Sequence, residues 1–332
     1  MSPRVLITTD YLEPDDVVDR YLRDAGCETV HAPMRGRRDP AELVALLADV
    51  DAALVANEPM TAEVLASARR LRAVVRTGVG YDSVDVVAAA RHGITVSNLP
   101  GINANAVAEF TLGLILSAAR RIVHLSAGVA GGRWPRGDGH EIRGATLGLV
   151  GLGASARAVV PLARAFGMEV LCTTRVPADD RADVAATVVP LDELLARSDY
   201  VSLHTSLDDS TRHLMDAAAF ARMKPTAILV NTARGGIVDE HALADAVRDG
   251  VIAGAALDVV AVEPLPTDSV LRGIDGIVIT SHMAGQTAEA RAAAGLRGAE
   301  ELVAALAGEA RHCVNAHLID ARPITDVRGV SA

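Results

Sequence analysis

Short apolar runs rich in β-branched residues alternate along the chain with longer, Ala- and Leu-rich amphipathic stretches. Val5–Thr8, Ala52–Ala56, Ala73–Arg76, Thr146–Val150, Val170–Thr173, Tyr200–Leu203, Ala227–Asn231, Ala253–Leu257 and Ile277–Thr280 read as strands. Hydrophobicity runs through them without alternation, the mark of strands buried on both faces. Pro40–Ala48, Thr61–Ala68, Ala156–Ala165, Leu191–Ala196 and His241–Arg248 carry helical spacing. This alternation predicts mainly parallel sheets covered by helices. One stretch departs from it. From Asn103 to about Leu125 the pattern predicts one long helix, with Val107, Phe110, Leu114 and Ala118 on a single stripe. A loop at 128–139 follows, with Gly131-Gly132 and the only Trp, Trp134. This segment reads as an element joining two α/β units or as a dimerisation arm. Beyond Val314 the chain is polar and reads as irregular.

Composition narrows the possibilities. At 332 residues the chain is long enough for two domains of ordinary size. It is 50% hydrophobic and 22% charged, a globular balance that excludes extensive disorder. With four Tyr, three Phe and one Trp, the core has to be aliphatic, and base-stacking surfaces are excluded. The net charge of −10 has the wrong sign for a nucleic-acid partner. Cys27, Cys172 and Cys313 lie far apart without CxxC spacing, so they read as free thiols in a reducing compartment and no metal site is expected. No leader-like run opens the sequence, and no apolar run reaches the 18 or so residues of a membrane span. The expectation is a cytoplasmic protein without membrane partners.

The strongest local signal is Thr146-Leu-Gly-Leu-Val-Gly151-Leu-Gly153-Ala154-Ser155-Ala156, a strand entering a glycine-rich turn and then a helix. Gly151 permits the tight turn, Gly153 admits a pyrophosphate to the backbone, and Ala156 stands where a third small residue packs helix on strand. A pyrophosphate would meet the helix N-terminus, which makes Gly151, Gly153, Ala154 and Ser155 candidate cofactor-binding residues. An acidic residue for the ribose 2′-hydroxyl is expected some 20 residues on. Thr173-Thr174-Arg175 stands there instead. Hydroxyls followed by a guanidinium suit a 2′-phosphate, so Thr174 and Arg175 favour NADP(H) within a general NAD(P) reading. Three further strand ends carry reactive side chains: Arg234 after Ala227–Asn231, Asp258 and Glu263 after Ala253–Leu257, and His282 after Ile277–Thr280. In open α/β sheets, ligands bind outside such C-terminal strand ends.

These stretches resemble the D-isomer-specific 2-hydroxyacid dehydrogenases, in particular their phosphoglycerate dehydrogenase-like members. The matching text is Arg76-Thr-Gly-Val79-Gly80-Tyr-Asp82, Asn98-Leu-Pro-Gly101, Val107-Ala-Glu109, Gly148–Gly153, Asn231–Glu240, Gly254–Asp258, Glu263-Pro264, Ser281-His282 and Cys313-Val-Asn315. The resemblance implies a flavodoxin-like substrate domain, 1–98 with 286–332, and a Rossmann cofactor domain, 99–285, inserted into it. It implies a homodimer built on the arm at 103–145, an active site in the interdomain cleft, and a small anionic substrate. Arg234, Glu263 and His282 would be catalytic. His282 would serve as general acid–base, Glu263 would orient it, and Arg234 would bind the carboxylate and polarise the carbonyl. Val79 and Gly80 would hold the carboxylate through backbone amides. Arg76 would reach a distal anion such as a phosphate or phosphonate, or would pair with Asp82. Asp258 would contact the nicotinamide carboxamide, with Thr205, Thr232, Ala233 and Gly285 also beside the cofactor.

Departures from the family text are Ala156 for Gly, Thr174 for an acid, and Ser206 and Ser281 for Pro. His92, His124 and His213 read as structural, and His204, which borders the cofactor motif, receives no chemistry. The alternative readings of this sequence are a dinucleotide-sensing regulatory binding protein of the same fold, or a formate- or phosphite-type hydride-donor dehydrogenase.

Overall fold

The computed structural model describes residues 2–35, 39–177, 179–181 and 184–320. The chain divides into two compact units, Met1–Ile102 with Thr287–Ala332, and Asn103–Gln286, the second inserted into the sequence of the first. In the first unit, β1 (Arg4–Ile7), β2 (Glu28–His31), β3 (Ala52–Val55), β4 (Ala73–Arg76) and β5 (Thr95–Ser97) form a wholly parallel sheet in the order β2-β1-β3-β4-β5. Helices α1 (Val17–Asp24), α2 (Pro40–Leu47), α3 (Ala62–Ser67) and α4 (Val86–Arg91) provide the crossovers. Each starts on a polar cap, Asp16, Asp39, Thr61 or Asp85, whose side chain accepts a first-turn amide. The strand order is the doubly wound, flavodoxin-like one, and β1, β3 and β4 bury aliphatic side chains on both faces.

The second unit opens with α5 (Ala104–Ala119) and α6 (Ile122–Ala130). The single helix expected over 103–125 is therefore two. Arg121 lies in the left-handed region at φ 52°, and its amide closes a tight turn on Ala118. Ile122, Val123 and Leu125 continue the apolar pattern past this break, so periodicity alone does not reveal it. The sheet that follows comprises β6 (Thr146–Val150), β7 (Glu169–Thr173), β8 (Thr187–Val188), β9 (Tyr200–Leu203), β10 (Ile228–Asn231), β11 (Gly254–Leu257) and β12 (Ile277–Ile279). Its crossovers include α7 (Ala154–Ala165), α8 (Leu191–Arg197), α9 (Ala217–Phe220) and α10 (Glu240–Arg248). The strands run parallel in the order β12-β11-β10-β9-β6-β7-β8. Strand order reverses between β6 and β9, which opens a crevice at their C-terminal ends. The core is aliphatic as composition demands: among the described residues, Phe220 is the one aromatic among the largest fully buried side chains.

The returning segment carries α11 (Ala288–Leu306), packed on β3 and β4, and α12 (Ala316–Asp320). A helix thus replaces the irregular tail expected just past Val314, while the rest of that tail, 321–332, lies outside the described residues. Fully buried Asn315 completes the edge of β5: its Oδ1 accepts the Val96 amide at 2.9 Å and its Nδ2 donates to the Ile94 carbonyl at 2.9 Å. Asn315→Ala leaves both groups unpaired and is expected to lower unfolding stability by about 2–3 kcal/mol. Urea denaturation measures this, and a loss below about 0.5 kcal/mol would refute the edge-closing role. None of the described helices is long and apolar enough to cross a membrane.

Candidate active site

Strand β6 delivers Gly151 into the crevice at φ +102°, and a Cβ there would lie 2.4 Å from the carbonyl oxygen of His204. Only glycine meets both conditions. Helix α7 begins at Gly153 without a side-chain cap, although seven other helices among the described residues have one. Its first-turn amides, including those of Ala154 and Ser155, face outward at the positive end of the helix dipole. The Ser155 hydroxyl lies 3.1 Å from Nδ1 of His204, whose Nε2 is 3.0 Å from the Ser202 hydroxyl. Burial pushes the His204 pKa down to about 4, so the ring is neutral near pH 7. At the end of β7, Thr174 Oγ1 accepts the Val176 amide at 3.0 Å, and Arg175 is 78% exposed, 3.5 Å from Asp208. Thr205 follows β9 directly after His204, and Thr232 follows β10, its hydroxyl 3.2 Å from that of Thr111 on α5. Gly285 lies against Asn103, where an added Cβ would come within 2.3 Å of the Asn103 amide nitrogen. A glycine cradle, uncapped amides and a nearby exposed arginine fit the phosphates of a dinucleotide.

Arg234, Glu263 and His282 follow the C-terminal ends of β10, β11 and β12, three neighbouring strands. His282 Nδ1 is 2.9 Å from Glu263 Oε2, which leaves Nε2 without a hydrogen bond among the described residues. His282 itself is in the left-handed region at φ 59°. Asp258, 1% exposed, holds it there. The Asp258 carboxylate accepts the Thr280 hydroxyl at 2.6 Å and the Met283 and Ala284 amides at 2.9 and 2.7 Å, while its carbonyl accepts the His282 amide at 2.8 Å. The group expected to contact a nicotinamide carboxamide thus also anchors the histidine loop. On the Arg234 side, buried Asn231 clamps the turn, accepting the Ala233 amide at 3.0 Å and donating to the Arg234 carbonyl at 2.9 Å. Gly235 then packs on the chain leading to Glu263, since a Cβ there would lie 1.9 Å from the carbonyl carbon of Val260.

In the first unit, Arg76 ends β4, its guanidinium bonded to Asn57 Oδ1 and laid against Gly78. The Gly78 amide donates to the Arg76 carbonyl, and the Asn98 side chain donates to the Val79 carbonyl at 2.6 Å. The amides of Val79 and Gly80 have no partner among the described residues, a pair of adjacent donors suited to a carboxylate. Sequence reasoning missed Asn98, Asn231, Ser202 and Thr280. Asn98 and Asn231 do stand in the family-like stretches Asn98–Gly101 and Asn231–Glu240, at a strand end where a short amide can bind neighbouring backbone. Cys27, Cys172 and Cys313 form no disulfide, and no cluster of three or more metal-ligating side chains occurs among the described residues.

Comparison with known proteins decides the family. The model of the D-isomer specific 2-hydroxyacid dehydrogenase, NAD binding domain, matches residues 112–284. A glyoxylate reductase from Korarchaeum cryptofilum is 38% identical over 97% of this chain and 99% of its own. The chain belongs to the D-isomer specific 2-hydroxyacid dehydrogenases. Another 2-hydroxyacid dehydrogenase relative is the (S)-sulfolactate dehydrogenase of Chromohalobacter salexigens, 46% identical over 76% of this chain and 83% of that protein. Among solved structures, the NADPH-dependent glyoxylate/hydroxypyruvate reductase of Sinorhizobium meliloti, in complex with NADP and malonate, superposes with a TM-score of 0.81 at 30% identity, covering 95% of this chain and 97% of that one.

Proposed function

We propose that the protein transfers a hydride between a nicotinamide coenzyme and a small D-2-hydroxy acid or 2-oxo acid. The observation that carries this reading is the His282–Glu263 pair, which engages Nδ1 and leaves Nε2 open beside the end of the sheet. In the reducing direction, protonated His282 donates from Nε2 to the carbonyl oxygen at C2, and in the oxidising direction neutral Nε2 takes the hydroxyl proton. Glu263 accepts a hydrogen bond from Nδ1–H, fixing the tautomer and stabilising the imidazolium. Arg234 binds the substrate carboxylate and polarises the reacting carbonyl. Gly151, Gly153, Ala154, Ser155, Thr205, Thr232, Ala233 and Gly285 would hold the coenzyme in the crevice, where its nicotinamide would supply or receive the hydride.

Thr174 and Arg175 favour NADP(H), a reading supported by the NADPH-dependent Sinorhizobium relative. Arg175→Ala is expected to raise the KM for NADPH about tenfold and leave that for NADH unchanged. Equal effects on both coenzymes would refute a 2′-phosphate role. Arg76 favours substrates with a second anionic group such as a phosphate or phosphonate, and the sulfolactate relative's name points to the same dianionic class. A panel of 2-oxo acids with and without a distal anion, run with both coenzymes, tests the function. Preference for the dianions supports the reading, and no turnover of any member overturns it. We also propose a homodimer built on α5 and α6, supported by exposed Ile122, Val123 and Val129 on α6 and by Trp134, 76% exposed, in the following loop.

A further inference from the structure

We infer that Ser202, His204 and Ser155 form a one-way hydrogen-bond relay that fixes His204 as its Nδ1–H tautomer and turns the Ser155 hydroxyl outward as an added donor to the coenzyme pyrophosphate. The inference rests on the dehydrogenase reading for its ligand and on side-chain geometry for the relay itself.

Ser202 lies on β9 and is fully buried. Its hydroxyl has one partner among the described residues, Nε2 of His204 at 3.0 Å. A neutral imidazole offers one donor and one acceptor, and His204 is neutral because burial depresses its pKa. If Nε2 carried the proton, it would donate to Ser202, and the Ser202 hydroxyl hydrogen would be buried with no acceptor. Buried donors are rarely left in that state. The satisfied arrangement runs the other way. Ser202 donates to Nε2, so the ring proton sits on Nδ1 and is donated to Ser155 Oγ at 3.1 Å.

Ser155 accepts in this arrangement, which leaves its own hydrogen available. It stands in the first turn of α7, a helix with no side-chain cap, and it is only partly buried. Its hydroxyl hydrogen therefore reaches the side where the free α7 amides emerge. Bonds aligned head to tail polarise one another, so Ser155 becomes a better donor to an anion than an isolated serine. The relay is tied to the turn through the main chain as well, since the His204 carbonyl is the group that excludes a side chain at Gly151.

Two measurements test the relay. In the apoprotein, ¹⁵N NMR of the His204 ring, assigned by loss of its signals in His204→Asn, is expected to show a protonated Nδ1 and an unprotonated Nε2. The opposite tautomer would overturn the inference. Dissociation constants for NADH and NADPH, from titrations of coenzyme fluorescence, then complete a double-mutant cycle. Ser155→Ala is expected to weaken binding about tenfold, the effect of one hydrogen bond to a charged group. Ser202→Ala is expected to weaken it about threefold through the relay alone. The double variant should lose no more than Ser155→Ala. Additive losses would make Ser202 merely structural, and a wild-type constant for either single variant would equally overturn the relay. If the unaltered protein binds neither coenzyme, the dehydrogenase reading fails, and the tautomer still decides whether the relay exists.

Discussion

Replacing His282 with Ala is expected to lower kcat by about 10²–10⁴-fold, the usual contribution of a general acid–base group. The size of the effect follows from the geometry. Glu263 occupies Nδ1 at 2.9 Å, so proton transfer has to pass through Nε2, and no second histidine shares this loop. Stability should barely change, because the imidazole is 35% exposed and makes one side-chain hydrogen bond. Steady-state kinetics beside a thermal melt separates these quantities. A kcat within threefold of the parent protein, in a folded variant, would remove His282 from the chemistry.

Asp258→Ala is the second large effect, and it acts through the backbone. The carboxylate accepts one hydroxyl and two amides from Thr280, Met283 and Ala284, and removing it strands these donors in a buried site. Each unpaired buried group costs about 1–3 kcal/mol, so a combined loss of about 3–5 kcal/mol in stability is expected. The left-handed backbone at His282 also loses the support that maintains it, and kcat should fall by about 100-fold as the imidazole leaves its place. Asp258→Asn does not restore the site, because its amide group turns donors toward donors. The split between constants separates two roles for Asp258. Anchoring the loop lowers kcat and leaves the coenzyme KM in place, whereas a dominant contact to the nicotinamide raises the coenzyme KM. Denaturation curves and full kinetics on both variants measure the outcome.

Much of the architecture is legible in the sequence because strands buried on both faces have to be continuously apolar. Thr146–Val150 and Tyr200–Leu203 can be read off directly, and so can the positions of Arg234, Glu263 and His282 just beyond such runs. Edge strands escape that rule. Residues Glu28–His31 of β2 are partly exposed, and β8 is two exposed residues, so neither carries an apolar signature. The break between α5 and α6 is also hidden, because it depends on one left-handed residue, Arg121, within an uninterrupted apolar pattern. At the site, sequence marks the groups that reach outward and hides those that hold them. Asp258 reads as a ligand contact, and its carboxylate also anchors the histidine loop, a role its spacing does not reveal. His204, assigned no chemistry, joins two serines brought to it by different strand ends. Such partners are set by strand order, which spacing along one chain does not display.

The most direct test of the proposed chemistry is isotope transfer. Hydroxypyruvate is incubated with the protein and NADPH or NADH carrying deuterium at the transferable position of C4. The predicted product is a D-configured 2-hydroxy acid with deuterium at C2, lost in parallel with turnover in His282→Ala. Hydrogen from solvent at C2, an L-configured product, or no product with either coenzyme or any other 2-oxo acid of the panel would contradict it.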